Sequence, residues 1–125
     1  PHFRIGVSQY LCDHYRQTYH VPMTRIPNGV TMPTLVPNPA AVENLGLGLK
    51  PGKYAMFCGR LVPEKAPDQL IKAFLNVPGD AQLAIVGDSA GTDDYTQQLK
   101  ALAQNDPRII FTGYQYGETL HQLFA

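Results

Sequence analysis

Residues 54–68 read YAMFCGRLVPEKAPD, and the fold follows from how this stretch is parsed. The apolar run Tyr54 to Cys58 has the length and composition of a buried strand, stopped by Gly59. Arg60 follows at once, then a turn holding Pro63, Glu64 and Lys65. Pro67 is suited to the first turn of a helix, which the spacing predicts over residues 68–75. A strand leading through a short loop to a helix is the unit of an open α/β sheet. Ligands bind there in the crevice outside the carboxyl ends of the strands. Arg60 and Lys65, five positions apart in that loop, add fixed positive charge where backbone N–H groups and a helix dipole already favour an anion. Phosphate or diphosphate is the guest this chemistry suits. The same residues also read as solvated loop charges, with Glu64 as a local ion partner.

Downstream the alternation continues. Residues 82–86, QLAIV, form a second buried strand ending at Gly87, and residues 108–112, RIIFT, a third ending at Gly113. Between them lie a polar loop, 88–94, and a helix over 95–104 that buries Leu99, Leu102 and Ala103; Asp106 and Pro107 break it. A last helix starts at Gly117 and Glu118, with Leu120, Leu123 and Phe124 inward. Leu70, Ile71, Phe74 and Leu75 are the apolar face of the helix after Pro67. Strands alternating with helices imply right-handed crossovers and a parallel, Rossmann-like α/β sheet with helices on both faces. The strand at 54–58 is read as the central one. A glycine ending each strand admits close approach of a ligand to the backbone, and is equally common wherever a strand enters a turn.

Upstream, residues 3–7 read as a short strand, and Ser8 as the N-cap of a helix over 9–19 with Leu11, Tyr15 and Thr18 or Tyr19 inward. Residues 25–27 are extended, and Asn28 and Gly29 form a turn. Residues 31–39 hold Pro33, Pro37 and Pro39 and read as a linker; a short helix is predicted over 40–45. Gly46, Leu47 and Gly48 do not make a dinucleotide fingerprint, because they follow no strand and Pro51 takes the third glycine position.

The phrase GRLVPEK, followed by DQLIKAF, resembles the signature opening the second domain of retaining glycosyltransferases of the GT-B fold, the large family 4 type. LAIVGD, YTQQLKALA and RIIFTG resemble the same family, and VSQYLCDHYRQTYHVPMTRIPNGV resembles the closing unit of its first domain. The resemblance implies three segments. Residues 1–30 are the tail of the N-terminal acceptor domain, 31–52 are the linker leading into the second domain, and 53–125 are the first half of the nucleotide-sugar-binding domain. By that reading the chain is a βαβ remnant plus half of a GT-B donor domain.

It also implies roles. Arg60 and Lys65 match the cations that hold the donor diphosphate and stabilise it as it leaves. Gly59 lies against it, and Tyr114 and Gln115 stand where family members contact the nucleotide base. The expected partners are a nucleotide-diphosphate-sugar donor and a glycan, lipid or small-molecule acceptor, with no cofactor. Two family features match nothing here: the glutamate pair near the donor sugar, expected after residue 125, and the first-domain catalytic histidine, expected before residue 1. The catalytic set is therefore incomplete, and the fragment alone is not expected to turn over. Ala66 departs from the motif, in which glycine follows the lysine; alanine suits a helix, so only a slight perturbation is expected. Sugar-nucleotide epimerases of the same fold are the alternative enzyme class, and an α/β module binding an anion is the non-enzymatic one.

Composition bounds the rest. In 125 residues, ten basic and ten acidic side chains cancel, so there is no electrostatic footprint for nucleic acid. His2, His14, His20 and His121 are scattered, with no metal-ligand spacing and no Asp-x-Asp motif, so no metal is expected. Cys12 and Cys58 have no redox or metal spacing and fit a reducing, cytoplasmic setting. No apolar run approaches membrane-spanning length, while peripheral membrane contact through the rest of the first domain stays open.

Overall fold

The computed structural model describes residues 3–30, 37–89, 93–104 and 106–125. Most of the proline-rich stretch, residues 31–36, lies outside them, as do His2 and the middle of the polar loop, 90–92. The chain divides into two compact units, Pro1–Pro33 and Thr34–Ala125.

In the first unit, β1 (Ile5–Gly6) pairs in parallel with β2 (Thr24–Arg25), connected by α1 (Gln9–Tyr19). Ser8 caps α1 by accepting the Leu11 N–H at 3.1 Å. Both strands are shorter than the apolar runs suggest. Pro27 has no N–H to extend the ladder beyond β2. The inward face of α1 is not the one expected. Cys12 is buried, its thiol 3.9 Å from the Gly6 carbonyl, whereas Tyr15 and Tyr19 are exposed. The sheet is two strands wide and meets α1 at Gly6, where an added Cβ would stand only 2.6 Å from the Cys12 sulfur.

In the second unit, β3 (Tyr54–Cys58), β4 (Gln82–Val86) and β5 (Ile109–Gly113) form a parallel sheet in the order β3-β4-β5. The helices are α2 (Pro39–Asn44), α3 (Pro67–Phe74), α4 (Asp93–Leu102) and α5 (Gly117–Phe124). The α/β class, with parallel strands flanked by helices, is as the sequence implies. The centre is β4, however, not β3: every residue of β4 is buried, while β3 has one strand neighbour and half-exposed positions, with Cys58 exposed.

Period-two alternation along β4 feeds two cores. Leu83 and Ile85 pack with Leu61, Ile71, Phe74, Leu99, Ala103 and Ile109, the layer of α3 and α4. Ala84 and Val86 pack with Val42, Leu49 and Leu123, the layer of α2 and α5. Each fully buried aliphatic side chain contributes about 1.5–3 kcal/mol, so β4 and its neighbours carry much of the stability. Residues 37–52 belong to this unit: Val42 and Leu49 enter its core, and Gln82 holds the loop by accepting the Lys50 N–H at 2.7 Å and donating to the Gly48 carbonyl at 2.9 Å. Leu123 is buried as expected, and the Tyr54 hydroxyl donates to its carbonyl at 2.8 Å, whereas Phe124, also expected inward, is 55% exposed.

Candidate functional site

All three strands of this sheet run in parallel, so their carboxyl ends open at one edge. Backbone hydrogen bonds stitch that edge together. Gly59 N–H donates to the Val86 carbonyl at 3.0 Å, Leu61 N–H to the Asp88 carbonyl at 3.1 Å, and Gly87 N–H to the Gly113 carbonyl at 2.8 Å. The approach at Gly87 is so close that a Cβ there would run into the Gly59 carbonyl oxygen, and its φ of +131° is itself a glycine conformation. Leu61 is fully buried and anchors the loop from below, next to the exposed Arg60.

Beyond Leu61 the chain is extended at Val62, then turns tightly through Pro63–Lys65 as a 3-10 turn, closed by Ala66 N–H donating to the Pro63 carbonyl at 2.9 Å. Ala66 is both the end of this turn and the N-cap of α3, with φ 52° and ψ 39°. Its expected innocuous role does not hold. The residue lies in the left-handed region, where a Cβ costs about 1–2 kcal/mol, so the missing glycine is felt in the backbone and not through helix propensity. Pro67 follows at the first helical position, buried, where its lack of an N–H does no harm.

A pocket of about 180 Å³ opens at this edge, lined by Cys58, Gly59, Arg60, Val86, Gly87, Tyr114 and Gln115. It brings together Gly59, Arg60, Tyr114 and Gln115, residues far apart in the sequence. Lys65 is not among the lining residues. Cys58 and Val86 were not singled out from the sequence, where the available signal was their place at strand ends; Gly87 was one of the strand-end glycines read as admitting close approach of a ligand. Arg60 Nη2 lies 3.2 Å from Glu64 Oε1, the local ion pair that the sequence offered as one reading. Tyr114 donates its hydroxyl to the Asp88 carbonyl at 3.2 Å, and its ring stacks on Tyr116 at 6.0 Å between centroids. Gln115 is turned by a hydrogen bond from Nε2 to the Thr112 carbonyl at 2.9 Å.

Outside the pocket, Asp68 on α3 accepts from Lys72 Nζ at 3.0 Å and from the Tyr95 hydroxyl at 3.2 Å. The hydrogen bond from Lys72 holds its carboxyl below the usual carboxylate range. The Lys72 contact lies within α3, and the Tyr95 contact ties α3 to α4. Among the described residues no group of three or more His, Cys, Asp or Glu is placed to hold a metal ion, and no helix is long and apolar enough to cross a membrane.

The family model for glycosyl transferases group 1 matches residues 46–125. Among solved structures the chain is similar to Anabaena Alr3699/HepE in complex with UDP and glucose, with TM-score 0.76 and 24% identity over 98% of this chain and 35% of that one. It is likewise similar to Anabaena Alr3699/HepE in complex with UDP, with TM-score 0.78 and 24% identity over the same shares. At this identity the likeness speaks to the fold, and this chain spans 35% of the length of those proteins. No curated protein matches it.

Proposed function

The chain belongs to the glycosyl transferases group 1 family, and from that premise we propose that the crevice beyond β3, β4 and β5 holds the diphosphate of a nucleotide-sugar donor. The observation that carries this reading is the single pocket at the strand ends that Gly59, Arg60, Tyr114 and Gln115 share, within the span that the family model matches. Gly59 leaves room for a phosphate against the backbone. Arg60 offers its planar fork of donors, and Lys65, on the next turn, a compact charge. Tyr114 and Gln115 face the base.

The reaction is glycosyl transfer with retention, of the family 4 type. The bond from the anomeric carbon to the diphosphate oxygen breaks as that carbon bonds to an acceptor hydroxyl oxygen, whose proton leaves with the diphosphate, and negative charge builds on the leaving diphosphate. Arg60 and Lys65 stabilise that charge where it develops, an effect commonly worth about 10²-fold in rate per contact. The acceptor is a glycan, a lipid or a small molecule. In this reading residues 1–30 close the acceptor domain, 31–52 are the linker and the entry to the donor domain, and 53–125 are the first half of that domain. The reaction needs no metal and runs in the cytoplasm. The two Anabaena complexes, which hold UDP with and without glucose, support the choice of a nucleotide guest.

Titration of the chain with UDP, GDP and ADP tests the reading, using wild type and the Arg60→Ala/Lys65→Ala double variant. The expected result is binding of one of the three that weakens about tenfold or more in the variant, as for loss of charge-assisted hydrogen bonds. Equal binding by both proteins would overturn it.

A further inference from the structure

We infer that Tyr114 is a positioning residue that sets Arg60, acting through the backbone carbonyl of Asp88. This rests on the diphosphate reading of the crevice. A carbonyl oxygen carries two lone pairs, and at Asp88 two donors share them: Leu61 N–H at 3.1 Å and the Tyr114 hydroxyl at 3.2 Å. Leu61 follows Arg60 directly and Tyr114 follows β5, so one acceptor on the exit of β4 ties together the exits of all three strands.

The tie bears on Arg60 because of what else fixes that residue. Its neighbours are held by Gly59 N–H on the Val86 carbonyl and by Leu61 N–H on the Asp88 carbonyl. The second of these depends on the orientation of the Asp88 peptide plane. That plane lies between Asp88 and Ser89, one residue beyond Gly87, whose backbone has a glycine conformation. Asp88 contributes a side-chain bond of its own to the turn, accepting the Ser89 N–H at 2.8 Å, but that bond does not reach Arg60 or β5. The Tyr114 hydroxyl is a side-chain contact between the exits of β5 and β4, beside the backbone bond from Gly87 N–H to the Gly113 carbonyl. Its ring lines the same pocket as Arg60. Tyr114 thus helps hold the backbone from which Arg60 projects, while Glu64 pairs with the guanidinium itself.

Tyr114→Phe removes the hydroxyl and keeps the ring and its stacking. UDP affinity is expected to fall about three- to tenfold, as for loss of one hydrogen bond. In the Arg60→Ala background the same substitution should change UDP affinity by less than about twofold, because its effect passes through Arg60. Amide hydrogen exchange adds a readout that does not need a ligand: Leu61 N–H should exchange faster in Tyr114→Phe while the β4–β5 ladder is unchanged. Additive losses of affinity in the double variant would overturn the inference, as would an unchanged Leu61 amide. If wild type binds none of UDP, GDP and ADP, the diphosphate reading fails, and the exchange at Leu61 alone decides whether the tie exists; if it binds GDP or ADP instead, that nucleotide replaces UDP in the affinity test.

Discussion

Arg60 and Glu64 are joined by an ion pair of 3.2 Å, from Nη2 to Oε1, at the mouth of the strand-end pocket. Both side chains are more than half exposed, at 61% and 68%, so the pair adds little to stability. Its consequence is for binding, since a carboxylate on the guanidinium competes with a phosphate oxygen for the same donors. Glu64→Gln should leave the melting temperature within error and raise UDP affinity about two- to fivefold, a change readable by calorimetric titration. Weaker binding by the variant would make Glu64 a contributor to the site instead of a competitor.

Ala66 is a strained point in the loop. With φ 52° it holds a left-handed backbone that glycine adopts freely. Ala66→Gly relieves the strain but makes the unfolded chain more flexible, an opposing effect of about 0.4–1 kcal/mol. The net expectation is a gain of up to about 1 kcal/mol in urea unfolding, with unchanged m-value. A loss of stability would mean that the turn tolerates its Cβ without cost.

Gly87 admits no side chain. A Cβ there meets the Gly59 carbonyl, backbone against backbone, so neither side can give way cheaply. Gly87→Ala should cost at least about 2 kcal/mol, and the residual folded protein should lose UDP affinity because the strand exits are pushed apart. Thermal and urea unfolding measure the first effect and titration the second.

The carboxylates at Asp68, Asp80 and Asp106 all sit below their usual pKa range. Hydrogen bonds from Lys72, Lys53 and Arg108, respectively, are the leading causes. Asp106 is the most built of these: Arg108 donates Nη2 to Oδ2 at 2.8 Å and Nη1 to the Val77 carbonyl at 2.7 Å, clasping the start of β5 to the turn after α3. A carboxyl whose folded pKa is depressed contributes stability that is full above its unfolded pKa of about 3.9 and is lost as pH falls through the folded value. Unfolding free energy should therefore be insensitive to these groups at neutral pH and decline below about pH 4. The decline should be shallower in Asp106→Asn, whose stability is already lower at pH 7. Equal slopes in the two proteins would remove Asp106 from the account.

Much of this was legible in the chain. The bounds of β3 and β4 follow from apolar runs that end at glycine, and the helix after Pro67 from its apolar spacing. An apolar run does not say how many neighbours a strand has, and so Tyr54 to Cys58 read as central when β4 is. Helical spacing marked Leu11, Tyr15 and Thr18 or Tyr19 as inward, but the narrow β1–β2 sheet meets the helix at Cys12. Gly59, Arg60, Tyr114 and Gln115, singled out from the sequence, line one pocket, while Lys65, singled out with them, is not among its lining residues. The role of the Asp88 carbonyl was not, because a backbone acceptor leaves no trace in residue type. Nor was the strain at Ala66, which comes from the 3-10 turn before it.

The central claim is that a nucleoside diphosphate seats at the carboxyl ends of β3, β4 and β5. Amide chemical-shift mapping of the labelled chain during titration with UDP, GDP and ADP tests it most directly. The account predicts that a nucleotide that binds will shift Gly59, Arg60, Gly87 and Tyr114 to Gln115 and leave α2 and the carboxyl end of α5 unmoved. Shifts concentrated instead in the separate groove of about 290 Å³ lined by Pro37, Val42, Pro51 and Gln122 would contradict it.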